Sequence, residues 1–473
     1  MKLGSVVVIA LVALSAVSAL TLVEKPKEDP TLPILANLET YKNKLMYDEA
    51  ISEYYNLINV SEASQRYPLI IELRDYCKEI NYVEPYINAC RAAVDANPSD
   101  TESAKAVLQY LRDTQNRELY NYVKSLIAIP PDSVSAEAHQ YYVDYYDTIK
   151  GDYRLYSMRG IVSAGEWLYD KYTFAENTDG VKNLVFTDGT VTSLEGYEVD
   201  SYSVDDNLIA AVHENQHVYI NIESKRKLVP YDLSKKELIY YDYLGPVSCN
   251  IANFRYSGNK WGYLDRNMNP MMTDLDAATP VYENFFAAKS QGKWHIYYIN
   301  GGPVSVFECD ELFVDNDFFI NNVAIDAANK TKTICFYAKT GGGSAWTQIK
   351  AQLDFSGKEL VINAAPVGSQ SYEDVRLFGQ GCGAVKSAGS WHFVDINGSA
   401  IDAMGSYEDA RSMTQGLAAV RKSGTNLWGY IDINGKQVIE PSFEEAYPIS
   451  SNGTAMIYFA GSWNLIKLLE YNN

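Results

Sequence analysis

Residues 428–446 read Trp-Gly-Tyr-Ile-Asp-Ile-Asn-Gly-Lys-Gln-Val-Ile-Glu-Pro-Ser-Phe-Glu-Glu-Ala, and this stretch decides the fold of the larger part of the chain. Polar and apolar side chains alternate over residues 430–433, as in a strand with one buried face. Asn434-Gly435 then gives the strongest short-range hairpin signal, because both residues tolerate positive φ. Val438-Ile439 begins a return strand that Pro441 is expected to end. One such unit supplies three or four antiparallel strands, enough for one propeller blade.

The tryptophans show that the unit recurs. Turns rich in Gly or Asn precede them, and short runs of Val, Ile, Tyr and Phe lie between further turn signals from about residue 160 to residue 473. That pattern is typical of many short antiparallel strands. The recurring residues are Trp261, Trp294, Trp346, Trp391, Trp428 and Trp463.

The unit from Trp428 to Ala446 resembles the WG repeat, also called the WG beta-transducin-like or KWG repeat. This bacterial family has the pattern W-G-[YF]-[IL]-D…G…[VI]-I-P…[YF]-[DE]-x-A, in which Gly429 is the signature glycine. Trp261-Gly262 starts a second match, whereas histidine replaces the glycine after Trp294 and Trp391. The resemblance implies that these tryptophans and glycines are structural repeat positions.

We predict a closed β-propeller over residues 160–473, with six to eight blades and seven as the central expectation. The last unit stops after the strand that begins at Trp463, and residues 168–186 look like the second part of a unit. Matching halves at the two ends indicate ring closure, which removes exposed sheet edges. An open stack of β-hairpins is the alternative.

Residues 31–155 read as α-helical hairpins, with few glycines and apolar residues at spacings of three and four. Tyr41, Ala50 and Tyr54 fit three signature positions of the tetratricopeptide repeat, and Ala93 and Pro98 fit a second unit, so the region resembles that family. The tryptophan and glycine usual in its first helix are missing. A generic helical bundle is the alternative.

The N-terminal segment has the features of a membrane-targeting sequence. Residues 3–23 carry no charge over a length of about 30 Å, the thickness of a bilayer core. With Lys2 before it and an acidic stretch after it, this segment predicts a single-pass anchor with the bulk outside the cytoplasm. Residues 1–30 then form the anchor and tether. A cleaved signal peptide, with Val17 and Ala19 before the cut, is the alternative.

The composition and motifs disfavour several functions. A formal charge of −20 disfavours binding to nucleic acid. The six cysteines form no C-x-x-C pair, and no spacing indicates a metal site, a phosphate-binding loop or a nucleophile triad, so we predict no catalytic, cofactor-binding or metal-binding residues.

The sequence therefore predicts a non-enzymatic scaffold anchored in the bacterial envelope, which binds proteins through its helical repeats and its propeller. Both family resemblances imply this role by analogy from fold to function. The alternative is a module outside the cytoplasm that binds glycan or cell wall through exposed aromatic rings.

Overall fold

The computed structural model describes residues 29–116, 118–232, 237–265 and 267–471. The chain divides into two compact units, residues 1–147 and 148–473. The predicted anchor at residues 3–23 and its cleavage alternative lie outside the described residues. Of the helices that the structure describes, none combines the length and the apolar character needed to cross a membrane.

Seven α-helices are described in the N-terminal region, and each of the first five packs on the next. Short loops separate most of them, so consecutive helices form hairpins. The helices are Thr31–Asn43, Tyr47–Val60, Ala63–Glu79, Val83–Ala96, Thr101–Asp113, Glu118–Ile127 and Ala136–Ile149. The first, third, fifth and seventh begin at intervals near the roughly 34 residues of a tetratricopeptide unit. The structure thus shows helical hairpins, and their membership of that family stays a prediction.

The predicted helical-repeat positions lie in the core of this unit. Ala50 and Ala93 are fully buried and Tyr54 is nearly so. Tyr41 is half-buried against the same cluster as Tyr54. Pro98 offers its carbonyl oxygen to the Tyr142 hydroxyl, at 2.6 Å. These contacts give all five positions a packing role.

Nine β-sheets follow within the described part of the chain, and eight of them are the blades of a β-propeller. Blade 1 contains Ile161–Ala164, Tyr172–Asn177, Lys182–Phe186 and Val191–Ser193; blade 2 contains Glu198–Ser203, Leu208–His213, Gln216–Asn221 and Lys227–Leu228. Blade 3 contains Tyr243–Leu244, Ile251–Tyr256, Lys260–Asp265 and Pro270–Leu275; blade 4 contains Ala277–Ala278, Phe285–Ser290, Lys293–Ile299 and Pro303–Cys309. A small hairpin of Tyr231–Asp232 and Glu237–Leu238 lies between blades 2 and 3.

The second half of the ring is less regular. Blade 5 contains Glu311–Leu312, Thr331–Lys339, Thr347–Asp354 and Val361–Pro366, with the extra strand Val323–Asp326. Blade 6 contains Asp374–Val375, Cys382–Ser387 and Ser390–Asp395; blade 7 contains Asp409–Ala410, Leu417–Arg421, Trp428–Asp432 and Gln437–Phe443. Blade 8 contains Glu445–Ala446, Thr454–Phe459, Ser462–Leu468 and Tyr153–Ser157.

The ring is closed by pairing between distant parts of the chain. Tyr153–Ser157 precedes blade 1 in sequence but forms the outer strand of blade 8, antiparallel to Ser462–Leu468. The indole N–H of Trp463 donates to the Val162 carbonyl at 3.1 Å, which joins blade 8 to blade 1. Closure is therefore confirmed, although the completing segment is Tyr153–Ser157 and not residues 168–186, which lie within blade 1.

The blade number corrects the expectation of seven. Six blades carry a tryptophan at or beside the start of their third strand, and blades 1 and 2 carry none at that position. In blade 2, His217 takes the tryptophan position, because it pairs with Val212 across the hairpin as Trp294 pairs with Lys289 in blade 4. A count based on tryptophan therefore misses blades whose backbone follows the same plan.

We expect the Thr454→Val variant to unfold with a free energy about 1–2 kcal/mol lower than the wild type. The Thr454 hydroxyl is fully buried and donates to the Thr187 carbonyl of blade 1 at 2.7 Å. Valine has a similar volume but leaves that carbonyl without its partner. Urea denaturation of the full chain measures the loss, and Thr454→Ser, which keeps a hydroxyl, should retain most of the stability. An equal loss in both variants would contradict the assignment.

Candidate functional site

The loops that follow the first strand of each blade form one face of the propeller around its axis. We call them the inner loops. Five contain two consecutive residues at positive φ, the conformation of a type I′ turn, and an isolated bridge closes each turn. These pairs are Tyr169-Asp170, Cys249-Asn250, Glu283-Asn284, Asn316-Asp317 and Gln415-Gly416. The same tight turn therefore brings side chains from several blades toward one point.

A funnel opens at that point. Its main cavity has an open volume of about 960 Å³ and is lined by inner loops of blades 1, 4, 5, 6, 7 and 8. A shallower cavity of about 740 Å³ adjoins it and is lined by inner loops of blades 1 to 4. Tyr169 and Tyr282 line both cavities, so the two are halves of one depression. Both volumes include open solvent, so the funnel is a recess in the surface and not an enclosed cavity.

Three aromatic rings meet in the floor of the funnel. Tyr169 of blade 1 lies edge-on to Phe318 of blade 5, with centroids 4.8 Å apart, although these blades lie on opposite sides of the ring. Tyr282 of blade 4 contacts both, at 6.1 Å from Tyr169 and 6.0 Å from Phe318. Such edge-to-face contacts are favourable for aromatic rings. The trio therefore plugs the axis, and a ligand in the funnel would rest on it.

The Tyr169 hydroxyl is a buried polar group at this plug. Its oxygen is inaccessible to solvent and has no hydrogen-bond partner among the described residues. Burial raises the pKa of Tyr169 well above its ordinary value, so the hydroxyl stays protonated. A buried hydroxyl without a partner is costly.

Carboxylates dominate the charged groups around the funnel. Of the acids that line the two cavities, Asp205, Glu283 and Asp315 form no ion pair with any residue that the structure describes, and Lys171 is the one cation lining them. Asp317 lies outside both linings, in the same inner loop as Asp315. Burial raises the pKa of Asp317. An excess of unpaired carboxylates favours a cationic ligand at this face.

The Arg411 guanidinium binds the most enclosed carboxylate at the funnel. Its Nη1 lies 3.1 Å from Glu166 of blade 1, and its Nη2 lies 2.7 Å from Glu445 of blade 8. The guanidinium also stacks between the rings of Trp428 and Tyr447, at 5.1 and 4.9 Å from their centroids. We call this set the Arg411 clamp. It joins blades 7, 8 and 1 and leaves Glu166 occupied by a structural contact.

The repeat tryptophans lie away from the funnel. All six stand at or next to the start of a third strand, the end of that strand opposite the inner loops. Trp391, Trp428 and Trp463 are buried, and Trp261, Trp294 and Trp346 are half-buried. Cations lie over several of their rings, such as Lys339 over Trp346 at 4.5 Å and Arg376 over Trp391 at 4.3 Å. The six tryptophans are thus buried or half-buried within the blades.

The signature glycines permit a bulge in the neighbouring outer strand. In blade 7, Trp428 pairs with Phe443 and Tyr430 with Ile439, so residues 440–442 face Gly429 alone. A Cβ at Gly429 would lie 2.5 Å from the Ile439 carbonyl oxygen. Pro441 sits inside this bulge, where its missing N–H is tolerated. It therefore does not end the strand, which continues to Phe443, contrary to the expectation from sequence.

The second signature glycine follows the same rule. Gly262 of blade 3 also faces a register shift, and a Cβ there would lie 2.5 Å from the Met272 carbonyl oxygen. In blade 4, where His295 takes the glycine position, it pairs directly with Glu308 without a shift at that point. Glycine and bulge thus occur together in blades 3 and 7.

The residues that line the funnel were not predicted from the sequence. Paired acids are common in an acidic chain, so Asp315 and Asp317 carried no signal alone. A usable signal was the recurrence of Asn, Asp or Gly before the second strand of a blade, as in Glu283-Asn284 and Asn316-Asp317, which places equivalent turns around one axis.

Two observations on the described residues concern metal binding and thiol reactivity. No group of three or more His, Cys, Asp or Glu side chains there is placed to hold a metal ion. Burial raises the pKa of Cys309, Cys335 and Cys382 to about 12, so these thiols stay protonated at neutral pH.

Comparison with known proteins identifies one repeat. Residues 428–463 match the family described as WG containing repeat. No curated protein matches the chain in sequence.

Several solved structures resemble the chain at low levels. The β-propeller domain of Cps50 (Swd1) from Myceliophteria thermophila is 9% identical, with 67% of this chain and 99% of that chain covered and a TM-score of 0.33. Apo AztD from Citrobacter koseri is 9% identical, with 58% and 84% covered and a TM-score of 0.33. PorZ, a surface component of the type-IX secretion system of Porphyromonas gingivalis, is 12% identical, with 63% and 50% covered and a TM-score of 0.22. These resemblances carry no argument about function.

The matched segment does not coincide with one blade. It begins at the third strand of blade 7, passes through the outer strand Gln437–Phe443, and ends at Trp463 in the third strand of blade 8. The sequence repeat is therefore offset from the structural repeat by half a blade. Residues 428–463 are a WG containing repeat, set in the ring of an eight-bladed β-propeller.

Proposed function

We propose that the protein is a non-enzymatic binding protein whose propeller holds a partner protein at the funnel. The observation that carries the proposal is the convergence of inner loops from most blades on one depression with a closed aromatic floor. A rigid ring that presents many short loops on one face is suited to binding a protein segment.

The charged groups support binding in preference to catalysis. Glu166, the most enclosed acid of the funnel, already pairs with Arg411. The remaining acids lie at the mouth, where they can steer and orient a ligand of opposite charge. The helical hairpins add a second surface for partners in this proposal, and nucleic acid is not among them because of the charge of −20.

The proposed location is the bacterial envelope, with residues 3–23 as the anchor and the bulk outside the cytoplasm. The support is the uncharged run of these residues and the charge pattern on either side of it. Cleavage of the segment would give a secreted form of the same binding protein.

A crosslinking residue at the funnel should capture a partner that a residue on the opposite face misses. Gln380 is exposed at the funnel in blade 6, and Ser390 is exposed in a hairpin at the other end of the same blade. We expect a photo-crosslinking amino acid at position 380 of the full-length protein, expressed in its native cells, to yield a discrete adduct with one protein. The same residue at position 390 should yield none. Equal adducts from both positions, or none from position 380, would refute the proposal.

A glycan is the second candidate ligand, because the floor combines tyrosine rings with nearby amides such as Asn321 and Gln380. Rings and amides together are typical of sugar sites. Sedimentation of the protein with purified peptidoglycan distinguishes the two: a glycan-binding protein co-sediments, and a Tyr282→Ala variant does not.

A further inference from the structure

In blade 5, the first strand is followed by an extra short strand along the same edge of the central strand. Glu311–Leu312 pairs with one end of Thr331–Lys339, and the extra strand Val323–Asp326 pairs with the other end. Thr347–Asp354 occupies the opposite edge of that central strand along nearly its whole length. The extra strand must therefore lie on the same side as Glu311–Leu312, which is the side that faces the propeller axis.

The axis-facing edge of this extra strand is open. Val323–Asp326 pairs with one described strand only, so its alternate N–H and C=O groups point away from the sheet. Such an edge is a template for another extended chain. Ile325 on this strand is 62% exposed, one of the most exposed large apolar side chains of the propeller, whereas Val323 packs into the blade.

The open edge belongs to the same loop as the funnel carboxylates. Asp315 and Asp317 precede it, and Asn321 and Asn322 lead directly from the funnel wall into the strand. The Asn322 side-chain amide donates to the Gly379 carbonyl of blade 6 at 3.3 Å, which fixes the start of the strand beside the funnel. A chain paired along this edge would therefore have one end beside Asn321 and Asn322 at the funnel wall.

We propose that an extended basic segment of the partner protein adds as a strand to Val323–Asp326. Its backbone pairs with the open edge, and its lysine or arginine side chains, at every second position, reach the carboxylates of Asp315 and Asp317. The rings of Tyr169, Tyr282 and Phe318 offer a cation a further favourable contact at the floor. This inference rests on the proposed function and names the conformation and charge of the bound segment.

The test uses a labelled octapeptide of alternating Lys and Val and the full-length protein, with binding followed by fluorescence anisotropy. Ile325→Lys places a positive charge on the open edge, and Val361→Lys, at a residue 51% exposed on the opposite edge of the same sheet, is its matched control. We expect Ile325→Lys to weaken binding about tenfold and Val361→Lys to leave it unchanged. Circular dichroism verifies that both variants are folded.

Charge and backbone are tested separately. The pair Asp315→Asn with Asp317→Asn should weaken binding about tenfold, whereas the pair Glu195→Gln with Glu359→Gln, at exposed positions outside the funnel, should not. The alternating Glu and Val peptide should not bind. Two further peptides carry N-methyl groups on the backbone amides of all Lys residues or of all Val residues. Alternate residues of a strand point their amides to opposite edges, and an added strand pairs through one edge. One of the two methylated peptides should therefore lose binding.

The results separate this inference from the proposed function. Equal effects of Ile325→Lys and Val361→Lys, or full binding by both methylated probes, would overturn strand addition. If these results were obtained together with an adduct at position 380, the funnel would still be the binding site, but strand addition to Val323–Asp326 would be rejected. Without that adduct, the proposed function itself fails.

Discussion

Replacing Arg411 by methionine is expected to lower the free energy of unfolding by about 3–5 kcal/mol. Methionine keeps much of the side-chain volume but removes the charge that binds Glu166 and Glu445. Glu166 would remain largely enclosed without a counter-charge, whereas the Glu445 side chain is 32% exposed, and the stacking on Trp428 and Tyr447 would be lost. Because the Arg411 clamp spans three blades, the loss falls on the segment where the ring closes.

The effect of this substitution should depend on pH. Burial raises the pKa of Glu166 above its ordinary value of 4.5, and Arg411 opposes that rise. Without Arg411 the folded-state pKa rises further. An acid whose pKa is higher in the folded state destabilises the fold when it is ionised, so the penalty is present above that pKa. The difference in the free energy of unfolding between Arg411→Met and the wild type should therefore decrease as the pH falls from neutral toward 4.5.

Urea denaturation at several pH values measures this gap. Arg255→Met is the matched control, because Arg255 also stacks on a repeat tryptophan, at 5.7 Å from the Trp261 centroid, but forms no ion pair with a described acid. It should lose about 1 kcal/mol or less. Adding Glu166→Gln to Arg411→Met should restore part of the stability. A pH-independent loss, or no rescue, would show that the clamp stabilises through packing alone.

Replacing Gly429 by valine is expected to cost about 3 kcal/mol or more. The added Cβ would lie 2.5 Å from the Ile439 carbonyl oxygen and 2.8 Å from the Pro441 nitrogen, both backbone atoms that can move only with the strand. Steric conflict with the backbone in a packed sheet exceeds the usual 1–3 kcal/mol of core overpacking.

Thermal unfolding by calorimetry measures the loss. Gly302→Ala is the control, because a Cβ at Gly302 meets no atom within 4 Å and its φ is ordinary. It should change stability by about 0.5 kcal/mol or less. If Gly429→Val were as stable as Gly302→Ala, the outer strand would not need the bulge, and the glycine of the signature would have another cause.

The repeat signature predicted the propeller because its residues act locally. Asn434-Gly435 marks a turn of the backbone, and the alternation before it marks a buried strand face, so both can be read without knowledge of distant contacts. The blade number could not be read in the same way. Val212 and His217 of blade 2 pair as in the other hairpins, but no tryptophan stands at this position to mark the blade in the sequence.

The funnel depends on contacts between distant residues. Tyr169 meets Phe318 only because the ring places blades 1 and 5 on opposite sides of one axis, and Arg411 meets Glu166 only because the ring closes. No local pattern encodes either pair. The role of Gly429 also needed the register of the neighbouring strand, since a glycine in a strand otherwise reads as a weak point.

The strand Tyr153–Ser157 gives the propeller a defined response to force. It follows directly on the helical region in sequence, yet it completes the last blade. Tension applied along the chain from the N-terminal helices reaches the ion pair of Lys150 with Asp432 of blade 7 and then this strand. We expect load to break that ion pair first and then to peel the outer strand from blade 8, which opens the ring.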